Sequence, residues 1–119
     1  MTDETKTANE PKEEVYSIVT TTRAKYFGKV TNNGKGIIID SAYEVKGETD
    51  AQSIARSFIK GHLYGDNKRI ELSDALIESV TDAPDETRIV RTYEALLPEA
   101  KKRALGVMTY KALEELLSK

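Results

Sequence analysis

The sequence predicts an α+β fold: an antiparallel sheet of three or four strands, one crossing helix, and a helical C-terminal third. Three observations lead there. Residues 15–45 are dense in β-branched and aromatic residues on both sides of an Asn-Asn-Gly turn. Residues 50–63 switch to apolar spacings of three and four. From Pro84 onward the same helical spacing continues almost to the end.

Residues 1–13 hold Thr, Asp, Glu, Lys, Asn and Pro, with almost nothing able to enter a core. They are expected to form a disordered acidic tail ending near Pro11, followed by a single domain over 14–119. Within it, 14–82 is the sheet-helix unit and 83–119 the helical segment. A chain of 119 residues can bury one core without crosslinks.

"VYSIVTTTRAKYFGK", residues 15–29, reads as one long strand. Alternation puts Tyr16, Ile18 and Tyr26 on one face and Val19 and Phe27 on the other. Asn33-Gly34 then suits a primed hairpin turn, because both residues tolerate positive φ. "GIIIDSAYEV" returns, with Ile37, Ile39, Ser41, Tyr43 and Val45 on the expected core face.

Thr49 is the expected N-cap of the crossing helix, which begins at Asp50. Ile54 and Phe58 make its buried stripe, and Gly61 or Gly65 ends it. "KRIELSDALIESV", residues 68–80, reads as a third strand, or as a strand followed by a short helix that Ser73 caps. Pro84 opens the next helix and Pro98 is expected to break or kink it. A last helix from about Glu99 lines up Leu105, Met108, Ala112, Leu113 and Leu116.

The strand end and helix entry built from Tyr43, Val45, Thr49 and Ile54 resemble a family of uncharacterised short proteins from phages and gut bacteria. The likeness covers roughly residues 15–82. Members usually repeat the strand-turn-strand-helix-strand unit, whereas residues 83–119 here are helical. The resemblance implies a phage-derived accessory protein with no assigned activity. The element order is also similar to small phage single-stranded DNA-binding proteins with an open β-barrel, a likeness of fold alone.

Composition narrows the chemistry. With no cysteine there is no disulfide, thiolate metal site or thiol nucleophile. One histidine, His62, has no second His or Cys to share a metal, and is expected at a helix end. Asp40 and Glu44 could form an acidic stripe, but a solvent-facing role is simpler. "NNGKG" lacks the Lys-Ser/Thr and following helix of a phosphate loop. No catalytic group, metal or cofactor is therefore expected, and the chain is read as a non-enzyme. No window approaches the roughly 18 apolar residues of a membrane span. The acidic N-terminus has no apolar leader segment, which favours the cytoplasm.

Charge supplies the main functional signal. The net charge of −2 conceals a basic middle: residues 15–70 carry nine Lys/Arg against five acids, while both flanks are acidic. Arg23, Lys25, Lys29 and Lys35 surround Tyr26 and Phe27 on the first hairpin. These six are the candidate binding residues, since cations can follow phosphates while bases stack on rings. Arg56, Lys60, Lys68 and Arg69 extend the patch if the helix lies nearby. The leading expectation is a small accessory protein that binds a partner protein through this hairpin or the C-terminal helix. The alternative is single-stranded nucleic-acid binding by the hairpin, and the C-terminal helix could also support a homo-oligomer.

Overall fold

The computed structural model describes residues 15–103 and 108–117. The expected acidic tail and Leu105 lie outside them. Among them are six strands: β1 (Ser17–Thr21), β2 (Lys25–Gly28), β3 (Val30–Asn32), β4 (Gly36–Glu44), β5 (Lys68–Ser73) and β6 (Ile77–Asp82). Three helices accompany them among the described residues: α1 (Ala51–Tyr64), α2 (Pro84–Arg103) and α3 (Met108–Leu117).

The sheet of three or four strands is thus corrected to six, and local hydrogen bonding explains the difference. Thr21 folds the expected long strand into a hairpin. Its hydroxyl accepts from the N–H groups of Arg23 and Ala24, and its own N–H donates to the Ala24 carbonyl at 2.9 Å. A threonine that binds its neighbours' backbone in this way offers the chain a turn in place of a ladder. Residues 68–80, expected as a third strand or as a strand followed by a short helix that Ser73 caps, form two strands separated by a 3-10 turn over Asp74–Leu76. The N–H of Asp74 donates there to the Lys35 carbonyl at 3.1 Å.

All pairings are antiparallel. β2 and β3 are successive parts of one ribbon along the same edge of β4, while β5 takes the other edge. Across the sheet the order is therefore β6, β1, β2/β3, β4, β5. The outermost strands are consecutive in sequence, joined only by residues 74–76. In a flat sheet they would stand about 19 Å apart, at roughly 4.8 Å per strand. Four residue steps span at most about 14 Å. The connection forces the sheet to curl into a half-barrel, and the observed pairings are those of such a curl.

Curling produces two cores. Val19, Ile37, Ile39 and Ala42, with Tyr26, Val30, Ile70, Leu72 and Ile77 against them, form a core of sheet residues alone, on the concave side. Tyr16 and Phe27 face outward and meet Ile54, Phe58 and Ile59 of α1, Val90 and Tyr93 of α2, and Tyr110 and Leu113 of α3. β4 serves both cores because its register slips between Ile39 and Ala42. The bulge inverts the alternation, so Ile37 and Ile39 share the inner face with Ala42. Tyr43 and Val45 turn to the helices instead of continuing the Ile37–Ile39 face.

The turn between β3 and β4 has Gly34 at φ 89°, and Asn33 keeps an ordinary φ. The Asn33 side chain accepts from the N–H groups of Lys35 and Gly36. Gly34 and Lys35 are thus the central pair, which fits a type II′ turn better than an Asn33-Gly34 pair. Asp50, one residue after the expected cap, accepts from Ser53 N–H at 3.0 Å and starts α1 at Ala51. Gly65 closes α1 in the left-handed conformation. α2 runs through Pro98, because Val90, Tyr93 and Ala100 are held in the helix-side core on either side of it. Buried Thr87 ties α2 to the sheet, accepting from Tyr16 N–H at 2.9 Å and donating to the Ala83 carbonyl at 2.7 Å.

Candidate functional site

The six residues singled out from the sequence are not one surface. Arg23 and Lys25 stand at the β1–β2 turn, and Lys35 stands at the β3–β4 turn. Those turns lie at opposite ends of the β2/β3 ribbon, roughly 20–25 Å apart at about 3.3 Å per residue. Lys29, between β2 and β3, places its ammonium 5.6 Å from the centre of the Tyr16 ring on the helix side. Phe27 is completely buried, stacked on Tyr16 at 5.3 Å and edge-on to Phe58 at 5.1 Å. It offers no face to a ligand. Tyr26 points the other way and is half-buried against the concave core.

Tyr26 does join a different group. The half-barrel opens between β4, β5 and the last turns of α1 into a mouth of about 480 Å³. Its floor is Ala42 and Ile70 of the concave core. Tyr26, Tyr43 and Tyr64 stand on its wall, and Lys46, Lys60 and Lys68 are exposed on its rim. Lys60 holds its ammonium 5.8 Å from the Tyr64 ring centre and 5.7 Å from that of Tyr110. Among the described residues none of these three lysines is paired with a carboxylate, whereas Arg56, Arg69, Arg88 and Arg103 all are. Glu44 and Asp66 share the lining, so the mouth carries a net charge of about +1.

One polar cluster holds the wall of this mouth, and a second joins the three helices. Glu48 accepts from the Tyr43 hydroxyl, from Ser57 at 2.9 Å and from the Lys46 N–H at 2.7 Å. Desolvation alone would raise the Glu48 pKa. The hydrogen bonds from Tyr43, the local backbone and Ser57 outweigh it and hold the carboxyl below its usual range. Burial, then the bond to Glu48, pushes the Tyr43 phenol up, so its hydroxyl stays protonated. On the far side of α1, Glu114 accepts from Tyr93 at 3.2 Å and Tyr110 at 3.1 Å and pairs with Arg56 at 3.0 Å. Burial is the main cause that raises both phenols. This cluster fixes α3 against α1 and α2. Tyr110, Ala112 and Leu113 of α3 are spent on the core, leaving Met108 as its exposed large apolar residue.

A second cleft of about 670 Å³ lies on the helix side, floored by Phe58, Ile59, Leu97 and Leu113 and edged by Lys29, His62 and Glu94. His62 is exposed, its ring parallel to Phe58. Glu94 accepts from the Tyr16 hydroxyl at 3.2 Å. Asp40, on the exposed side of the bulge, pairs with Arg69 at 2.8 Å. No group of three metal-ligating side chains occurs among the described residues. No described helix is long and apolar enough to cross a membrane.

Lys60 and Lys68 were legible as an extension of the basic middle. Lys46, Tyr43 and Tyr64 were not. Lys60 and Tyr64 are four apart on one helix and therefore share a face, which is the signal that points to them. Tyr43 was hidden by the bulge that reversed its side of β4. No family model matches the chain, and no curated protein or solved structure is significantly similar to it.

Proposed function

We propose that this chain is a non-catalytic binding module whose half-barrel mouth receives an anionic partner. The observation that carries the reading is the mouth itself: three lysines with no carboxylate partner among the described residues ring an opening walled by three tyrosines. Openings of this kind are common ligand sites in barrel-like sheets. The lysines stand on β4, α1 and β5 or beside them, so a rigid frame sets their spacing.

Retention on a heparin column tests the reading. Lys46→Gln, Lys60→Gln and Lys68→Gln combined should abolish retention at low salt. Arg23→Gln, Lys25→Gln and Lys35→Gln combined should keep most of it, although both variants lose three charges. Equal elution of the two would mean that net charge alone governs binding, and would overturn the proposal.

A further inference from the structure

We infer that the anionic partner of the mouth is a short stretch of single-stranded nucleic acid, an inference that rests on the reading just given. An acidic peptide would use the lysines and leave the rings idle. A single strand offers both a charged backbone and flat bases, and such strands are held by cations along the phosphates with aromatic rings under the bases. The mouth has that combination in one place. Lys60 holds its ammonium beside the partly exposed Tyr64 ring, so a phosphate on Lys60 brings its neighbouring base within reach of the exposed part of that ring. Tyr64 is 37% exposed and steadied by edge-on contact with Tyr110 at 6.4 Å. Lys46 and Lys68 lie along the same opening, with Tyr26 and Tyr43 between β2, β4 and α1. A duplex would present phosphates while keeping its base faces stacked away from the rings.

Glu44 and Asp66 on the lining oppose a long run of phosphates, so the strand engages through few contacts. Three lysines imply a slope of log affinity against log salt of about −2 on single strands, at about 0.7 per phosphate contact. Stacking then supplies the discrimination between partners.

The test is fluorescence anisotropy with three labelled probes: dT12, a twelve-base-pair duplex, and a peptide of ten glutamates. Expected is tightest binding to dT12, with a salt slope near −2. Tyr64→Ala should weaken dT12 by about tenfold, equivalent to about 1.4 kcal/mol, while Tyr64→Phe stays within about twofold because the ring remains. A slope steeper than about −4 would place the contact elsewhere on the basic middle and overturn the inference. If the peptide or duplex binds as tightly as dT12, or Tyr64→Ala changes nothing, the mouth reads charge alone. Recognition of a single strand through its bases is then wrong, and the anionic reading stands. If none of the three probes binds, both readings fall.

Discussion

Replacing Phe27 separates a core role from a binding role on the hairpin. The ring is fully buried and touches two aromatic partners, Tyr16 at 5.3 Å and Phe58 at 5.1 Å. Truncating a buried phenylalanine to alanine costs about 3–5 kcal/mol. Each lost ring pair contributes roughly 0.5–1.5 kcal/mol beyond area, which favours the upper half of that range. A domain of this size is stable by about 5–15 kcal/mol, so Phe27→Ala removes a large share. Phe27→Leu, which refills part of the space, should cost roughly 1–2 kcal/mol. Urea unfolding followed by far-ultraviolet circular dichroism reads this directly. With a slope of about 1.5 kcal/mol per molar, a loss of about 4 kcal/mol lowers the midpoint by roughly 2.7 M. Folded Phe27→Leu should bind dT12 as the parent does. A loss below about 1 kcal/mol in Phe27→Ala, or folded Phe27→Leu that no longer binds, would refute the placement of this ring in the core.

The remaining predictions concern the Glu48 wall of the mouth, the β4–β5 register and the cluster that joins the helices. Glu48 is held below its ordinary pKa, so its bonds add stability above the unfolded value of about 4.3, and that stability is lost as pH falls through the lower folded value. Glu48→Gln should cost about 1–2 kcal/mol at pH 7 and flatten the decline of melting temperature below about pH 4.5. Parallel profiles for the two proteins would contradict this. Gly36→Ala would drive a Cβ into the Leu72 carbonyl oxygen and to 2.8 Å from Ser73 Cα, both backbone of the paired strand. It should cost at least about 1–3 kcal/mol, with amide exchange rising first in β5; an unchanged melting temperature argues against the β4–β5 register. Glu114→Ala strands Tyr93, Tyr110 and Arg56 and should cost about 2 kcal/mol, and limited proteolysis should then cut near α3 before any other helix.

Much of this structure was legible where local signals and packing agreed. Ile54 and Phe58 on helical spacing marked the buried side of α1, and the glycine after Asn33 marked the hairpin. Strand count failed where side chains competed with the ladder. Thr21, bonding its own turn, looks like strand in a β-branched context, whereas at Ser73 the alternative of a strand followed by a short helix came nearer to the one 3-10 turn found there. Face assignment failed at the β4 bulge, because one extra residue reverses every later side chain and leaves no mark in the alternation. The six basic and aromatic residues expected together on the first hairpin lie apart for a related reason. Sequence neighbours Lys25 and Lys35 are separated by the length of the ribbon, while Tyr26, Lys46, Lys60 and Lys68 are gathered by the curl. Curl depends on which strands pair, and pairing is not local.

The most direct test of the account is a titration of 15N-labelled protein with dT12, following each backbone amide. The account predicts shifts concentrated at Tyr26, Lys46, Lys60, Tyr64 and Lys68, around the mouth. Shifts confined to the turns that carry Arg23, Lys25 and Lys35, or no shift at millimolar dT12, would contradict it.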